Sequence, residues 1–404
     1  MVCHGPVDFK VYLSYNKISD KRSENMHVLV LSCNTGGGHN SAGSAVLEAL
    51  QARGHTGERV DFLGLAGQKV SDLVCGAYVG MVKNLPAVFG VTYSVGRAVS
   101  MAERVLSVKS PVYAACAQVI PELNRYLSQH PYDAIIAPHT FPALALTEMK
   151  RRGMALPITV AVATDYTCTP FFEEEDCDFT LIPSQLCVDE FVRRGFSREK
   201  LVPLGIPVSD GFQRRLGRRT CREMLGLEQN CRWILVMGGS MGAGHIRQLV
   251  RCLLYLTPEQ VRLAVICGSN EKLLEGLRKK YGHSSRIQVI GYTDQVARYM
   301  EACDLLYTKP GGITSTEGAV MGVPMVHMKP IPGCETRNRQ LFTQNGMSVS
   351  ARGVLAQAVK GWHLLDDPER CQRMTMAQRS QVAAGAAGRV VELLERQLGE
   401  VKPE

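Results

Sequence analysis

The sequence predicts an α/β protein built in two halves, and three observations carry that reading. Apolar runs of strand length alternate with helix-length segments along the chain. Each half opens in the same way, with an apolar strand, a glycine-rich loop and a helix. At 404 residues the chain is too long for one compact core and about right for two or three domains.

The first half begins at HVLVLSC, residues 27–33, a continuous apolar run expected of a central parallel strand. It leads into Asn34, Thr35, Gly36, Gly37, Gly38 and His39, and then into a helix expected over residues 41–53. Strand, glycine loop and helix N-terminus together let backbone approach a ligand closely. The spacing is not G-x-G-x-x-G and no Walker lysine follows, so neither a dinucleotide fold nor a P-loop is supported. His39, at the mouth of the loop, suits a general base at neutral pH. A histidine that only hydrogen-bonds the loop would read the same way.

Residues 69–126 change texture. Tyr78, Met81, Phe89 and Tyr93 belong to a long apolar-aromatic segment carrying Arg97 and other basic residues but few acidic ones. One reading is a membrane-surface or acceptor-contacting element; the other is a pair of helices buried against the first sheet. Strands are then expected at 133–137, 157–163, 179–183 and 201–204. Asp165 falls just past the carboxyl end of the second of these, where α/β sheets place their ligands. It is the second candidate for binding or activating a hydroxyl, or else an Asx-turn residue. The acidic run 173–178 reads as a solvated turn, with a metal-binding Asp176/Asp178 pair as the minority view.

Residues 205–219 are turn-rich and then basic, as an interdomain linker would be. The second half opens at WILVM, residues 233–237, and runs into GGSMGAG, which contains Gly239, Ser240 and Met241. Strands are expected at 261–267, 287–290 and 305–307, and the chain is expected to be helical after residue 352. The expected organisation is a loose extension over 1–25, domains over 26–209 and 210–366, and terminal helices over 367–404 with the length to pack back on the first domain.

The stretch 307–338 is the most informative. It reads as a buried strand, a glycine turn, a helix opening on Thr314, Ser315 and Thr316, a second strand, and a loop ending in Glu335. Gly311 and Gly312 ahead of a helix N-terminus leave N–H groups free for an anion. Glu317, expected in the first helical turn, suits a diol. An ordinary βαβ turn with a capped helix fits the same residues.

Composition narrows the class. Hydrophobic residues make up 45% and charged residues 21%, as in a soluble globular protein. A net charge of +8 without a long Lys/Arg run or an aromatic RNA-binding motif argues against nucleic acid and suits an anionic membrane surface. No run of about 18 apolar residues predicts a membrane span. The 14 cysteines show neither C-x-x-C nor zinc spacing, and no signal peptide is evident, so free thiols in a reducing cytoplasm are expected.

Taken together, GGGHNSAG, GGSMGAG and KPGG-x-TSTEG…PGCETRN resemble family 28 of the glycosyltransferases, most closely its diacylglycerol glucosyltransferase and monogalactosyldiacylglycerol synthase branch. The resemblance covers about residues 26–361. It implies a GT-B arrangement, two Rossmann-like domains facing across a cleft, with acceptor on the first and UDP-sugar on the second. It implies inverting transfer of a hexose to diacylglycerol at the inner face of the cell membrane, by a peripheral, cytoplasmic protein needing no metal or other cofactor. UDP-glucose is preferred to UDP-galactose. By the same resemblance Gly36, Gly37 and Gly38 form the acceptor-side loop, and Gly239, Ser240, Met241, Gly311, Gly312, Ile313, Thr314 and Ser315 hold the diphosphate. Glu317 holds the ribose, backbone around Tyr292 the uracil, and Glu335 and Asn338 the hexose. Cys334 stands where the branch commonly has glutamine. Alternatives are an N-acetylglucosaminyltransferase on a polyprenyl acceptor, a nucleotide-sugar epimerase, and a non-catalytic UDP-sugar-binding protein.

Overall fold

The computed structural model describes residues 25–34, 37–67 and 109–401, together with residues 69, 71, 72, 76, 93, 95 and 96. Most of the expected extension, Gly36, Tyr78, Met81, Phe89 and Arg97 lie outside the described residues.

Among the described residues, twelve strands form two six-stranded sheets in which every pairing is parallel. The first sheet contains β1 (His27–Ser32), β2 (Thr56–Asp61), β3 (Ala134–Ala137), β4 (Ile158–Val162), β5 (Phe179–Leu181) and β6 (Leu201–Val202), in the order β2-β1-β3-β4-β5-β6. The second contains β7 (Arg232–Met237), β8 (Val261–Ile266), β9 (Ile287–Ile290), β10 (Leu305–Thr308), β11 (Met325–His327) and β12 (Val349–Ser350), in the order β12-β11-β10-β7-β8-β9. The central strands are apolar because helices cover both faces: Val28, Leu29, Val30 and Leu31 of β1 are all fully buried.

Strand order reverses between β1 and β3 in one sheet and between β7 and β10 in the other. Such switch points open a crevice beyond the carboxyl ends of the strands, where neighbouring loops leave in opposite directions. The connections that leave β1 and β3 lead to His39, in the first turn of the following helix, and to His139. Those after β7 and β10 carry Ser240 and Lys309.

Six helices matter to the site: α1 (Gly37–Ala52), α2 (Ile246–Leu256), α3 (Gly312–Val320), α4 (Cys334–Gln344), α5 (Val354–Leu365) and α6 (Ala386–Val401). The terminal helix α6 lies on the first domain. Its Val390, Val391 and Leu394 are fully buried in one cluster with Val46 and Leu50 of α1. Glu395 takes Arg53 at 3.0 and 2.6 Å and His55 at 3.0 Å.

Three local expectations are corrected. α1 begins at Gly37, not at residue 41, so Gly37 and Gly38 belong to the first helical turn. α3 begins at Gly312, which places Glu317 in the second turn, and no acidic residue occupies the first. The segment expected as a loop ending in Glu335 enters α4 at Cys334, capped by Gly333 at φ 117, a conformation that only glycine adopts without strain. The acidic turn is built into the first domain: Asp178 pairs with Lys150 at 2.7 Å and Asp176 with Lys200.

Buried histidines make this fold acid-sensitive. Burial lowers the pKa of His39 and His139 and pushes His327 down to about 3. In the unfolded chain each protonates near its ordinary 6.5, so falling pH favours the unfolded state. We expect unfolding midpoints to drop as pH falls below 6.5, with His327 alone costing about 2 kcal/mol near pH 5. Replacing His327 by asparagine should flatten that slope in pH-dependent thermal denaturation; an unchanged slope would refute the assignment.

Candidate active site

The site forms where the two switch points face each other. On the first domain, His39 Nδ1 lies 2.7 Å from the carbonyl oxygen of Pro138 and 3.0 Å from Thr164 Oγ1. A carbonyl only accepts, so Nδ1 carries the proton and donates it, leaving Nε2 with a free lone pair. Burial holds the ring neutral, and the edge of the His139 ring supports it at 4.5 Å between centroids.

Asp165 follows β4, and its carboxylate is turned to the second domain. Its Oδ1 accepts from Asn338 Nδ2 at 2.7 Å, and the Cys334 thiol donates to it as well. Burial raises its pKa, while Asn338 and His39 counter that effect. Asn338 is fully buried; it also accepts from the Tyr166 amide at 2.7 Å and donates to Pro310 O at 3.0 Å. Its amide thus joins the two domains.

On the second domain the α3 N-terminus is the candidate anion-binding feature. The N–H groups of Gly312, Ile313 and Thr314 have no intrahelical partner. Ser315 does not reach the cleft: it is fully buried and bonded to His327 Nε2 at 3.1 Å. Thr316 donates to Gly312 O at 2.8 Å and meets the Tyr166 hydroxyl at 2.8 Å, across the domain boundary. The hydroxyl-rich start therefore faces the core.

Glu317, in the second turn of α3, is half-buried without a hydrogen-bond partner among the described residues, and desolvation lifts its pKa to about 7. Tyr292 follows β9 and is 80% exposed, leaving its backbone accessible. Sequence reasoning missed Lys309, the first residue after β10. Its Nζ contacts Glu335 Oε1 at 2.5 Å, and its stem lies over Gly239, where an added Cβ would stand 2.8 Å from Lys309 Cε. Glu335 also accepts from the Ile331 amide at 2.8 Å. The signal was available: a lysine directly ends the apolar run LLYT.

The glycines explain how closely the halves meet. A Cβ on Gly37 would stand 2.9 Å from Ser240 Oγ, and one on Gly38 would stand 3.1 Å from Ile313 Cγ1. A Cβ on Gly312 would stand 1.9 Å from the Thr164 carbonyl oxygen. Met241 belongs to the same loop as Ser240. Tyr93, the described member of the expected acceptor-contacting set, places its ring against Gly333, with 3.0 Å to a Cβ built there. It thus packs on the segment 333–335 of the opposite domain, which the sequence reading assigns to the sugar.

Two Rossmann-like domains closed on a cleft, with glycine loops on both sides, constitute the GT-B arrangement. Residues 39–208 match the family model described as monogalactosyldiacylglycerol (MGDG) synthase, and residues 233–348 match that of the glycosyltransferase family 28 C-terminal domain. The chain belongs to glycosyltransferase family 28, in its monogalactosyldiacylglycerol synthase branch. It is 27% identical over 259 residues to a protein of Bacillus cereus (strain B4264) named processive diacylglycerol beta-glucosyltransferase, a match covering 63% of this chain and 66% of that one. A protein of the same name from Bacillus pumilus (strain SAFR-032) is 27% identical, covering 64% and 67%. The chain thus spans about two thirds of the length of these curated relatives. Among solved structures, MurG of Acinetobacter baumannii superposes with a TM-score of 0.57 at 16% identity, covering 92% of this chain and 99% of that one. The UDP-GlcNAc 2-epimerase of Neisseria meningitidis bound to UDP-GlcNAc gives 0.60 at 12%, covering 92% and 100%. At these identities the likeness is one of fold.

Described helices include none long and apolar enough to cross a membrane.

Proposed function

We propose that the protein transfers a hexose, glucose in preference to galactose, from a UDP-sugar to diacylglycerol at the cytoplasmic face of the membrane, with inversion and without a metal. The observation that supports this reading is that His39, its Nδ1 held by Pro138 O, follows Gly38, which packs against Ile313 at the α3 N-terminus of the opposite domain. A single displacement uses both His39 and that N-terminus. The acceptor hydroxyl gives its proton to His39 Nε2 as its oxygen bonds the anomeric carbon, and the bond from that carbon to the diphosphate breaks on the opposite face. The departing UDP keeps the electron pair, and preorganised donors at Gly312, Ile313 and Thr314, with the Lys309 ammonium, stabilise that charge. Attack opposite the leaving group inverts the anomeric centre. The names of the Bacillus relatives support the acceptor and the sugar.

The test is UDP release from UDP-glucose, UDP-galactose and UDP-N-acetylglucosamine, each offered with diacylglycerol, glycosylated diacylglycerol or a polyprenyl phosphate, with and without chelator. Release dependent on diacylglycerol and indifferent to chelator is expected. Release without any acceptor would overturn the reading in favour of an epimerase or hydrolase.

Glu317 sets the donor affinity in this scheme. Replacing it by alanine should raise KM for the UDP-sugar by about 10- to 100-fold, the value of a hydrogen bond to a charged group. Because its pKa is lifted to about 7, the carboxylate form gains population as pH rises through 7, and KM for the wild type should fall over that interval. Full turnover at low UDP-sugar in Glu317→Ala would refute the ribose assignment.

A further inference from the structure

A basic groove on the second domain has no part in the scheme above. Two adjoining cavities of about 510 and 410 Å³ share Arg339, Ala351 and Arg352 in their walls. Lys329 adds a cation to the first, Lys360 and Arg370 add two to the second, and no acidic side chain lines either. None of these five cations has an ion-pair partner among the described residues, although Arg339, Lys360 and Arg370 are half-buried. Half-buried cations normally find a counter-charge, because desolvation without one is unfavourable. The positive charge is felt inside the domain, where Arg339 helps hold His327 neutral.

Backbone adds to the same field. α2 opens from His245 and α5 opens from Gly353 at the rim of the first cavity, and no side chain caps either helix. Free N–H groups and two positive helix ends thus face a space already ringed by cations.

α4 separates this groove from the donor cleft. Glu335 and Asn338 stand on its cleft face; Thr336, Arg339 and Thr343, spaced three and four residues apart, stand on its groove face. A ligand drawing on Arg339 would pull on the helix that fixes Asn338 to Asp165.

We propose that this groove binds a phosphate-bearing anion and that its occupancy is coupled through α4 to the donor cleft. The coupling rests on the donor reading above; the binding stands without it. Inorganic pyrophosphate titrated calorimetrically into the full chain at saturating UDP tests the binding, with phosphatidylcholine vesicles, with or without phosphatidate, as a co-sedimentation arm. Pyrophosphate should bind with UDP present, and Arg352→Glu or Lys360→Glu should each weaken it by at least about tenfold, the loss of one charge-assisted contact. Phosphatidate-dependent sedimentation that Arg352→Glu abolishes, without pyrophosphate binding, would support the groove and identify a lipid headgroup as its source. Elimination of pyrophosphate binding by UDP, indifference to both charge reversals, or binding to neither probe would overturn the proposal. UDP titration of each variant reports that it is folded. Coupling predicts a shift in the Kd for UDP at saturating pyrophosphate that Arg352→Glu removes; no shift would overturn that half. Failure of the wild type to bind UDP would count against the donor reading and leave the pyrophosphate result standing.

Discussion

Replacing His39 by alanine should lower kcat by about 10²- to 10⁴-fold while changing KM for the UDP-sugar little. The split follows from the geometry. His39 belongs to the first domain and takes its orientation from Pro138 O and Thr164, whereas the proposed donor contacts belong to the second. Losing the imidazole removes the proton acceptor without disturbing the diphosphate site. The pH profile gives an independent check. Burial lowers the His39 pKa, so the base stays unprotonated through neutrality, and the acid limb of kcat should lie below 6.5. The rise in donor affinity set by Glu317 lies higher, near 7, so the two limbs separate in kcat and kcat/KM profiles. An alanine variant retaining wild-type kcat would exclude His39 as the base and bring forward Asp165, whose oxygen is already engaged by Asn338.

Gly312→Ala should cost at least about 10²-fold in kcat/KM with the folded structure retained. Its added methyl would stand 1.9 Å from the Thr164 carbonyl oxygen and 3.1 Å from Asp165 Cα, both backbone atoms of the opposite domain. Neither can yield as a side chain tip would, so the domains must part by an ångström or more. Parting loosens the Asn338–Asp165 and Tyr166–Thr316 bonds and moves His39 away from the α3 N-terminus. Alanine is otherwise well tolerated at a first helical position, so the thermal midpoint of the isolated fold should change much less than the rate. Activity close to wild type would mean that the closed arrangement is not the reactive one.

Most of the scaffold was legible because its strands are buried on both faces and so read as apolar runs. β1, β7 and β9 were recognisable to within a residue or two. β2 was not, because TGERVD lies at the sheet edge with its first four residues exposed and has no hydrophobic pattern to see. The starts of α1 and α3 were misplaced for a shared reason. Glycine has low helix propensity, yet Gly37, Gly38 and Gly312 are helical because only a residue without a side chain fits against the opposite domain. α4 was missed because its capping residue, Gly333, reads as a turn until its left-handed φ is known.

The sequence by itself determined the α/β class, the two halves and the residue types of the site, because parallel strands and glycine loops leave a local signature. Tertiary structure alone decided which side chains meet. It turned Ser315 and Thr316 into the core, joined Asn338 to Asp165 across the boundary, placed Lys309 over Gly239, and buried Glu317 enough to lift its carboxyl to about 7. The physical reason is that burial and pairing belong to the closed cleft, where residues more than a hundred positions apart come into contact. In the stretch 307–338, sequence marked the candidate anion site, and packing decided which of its side chains turn into the core.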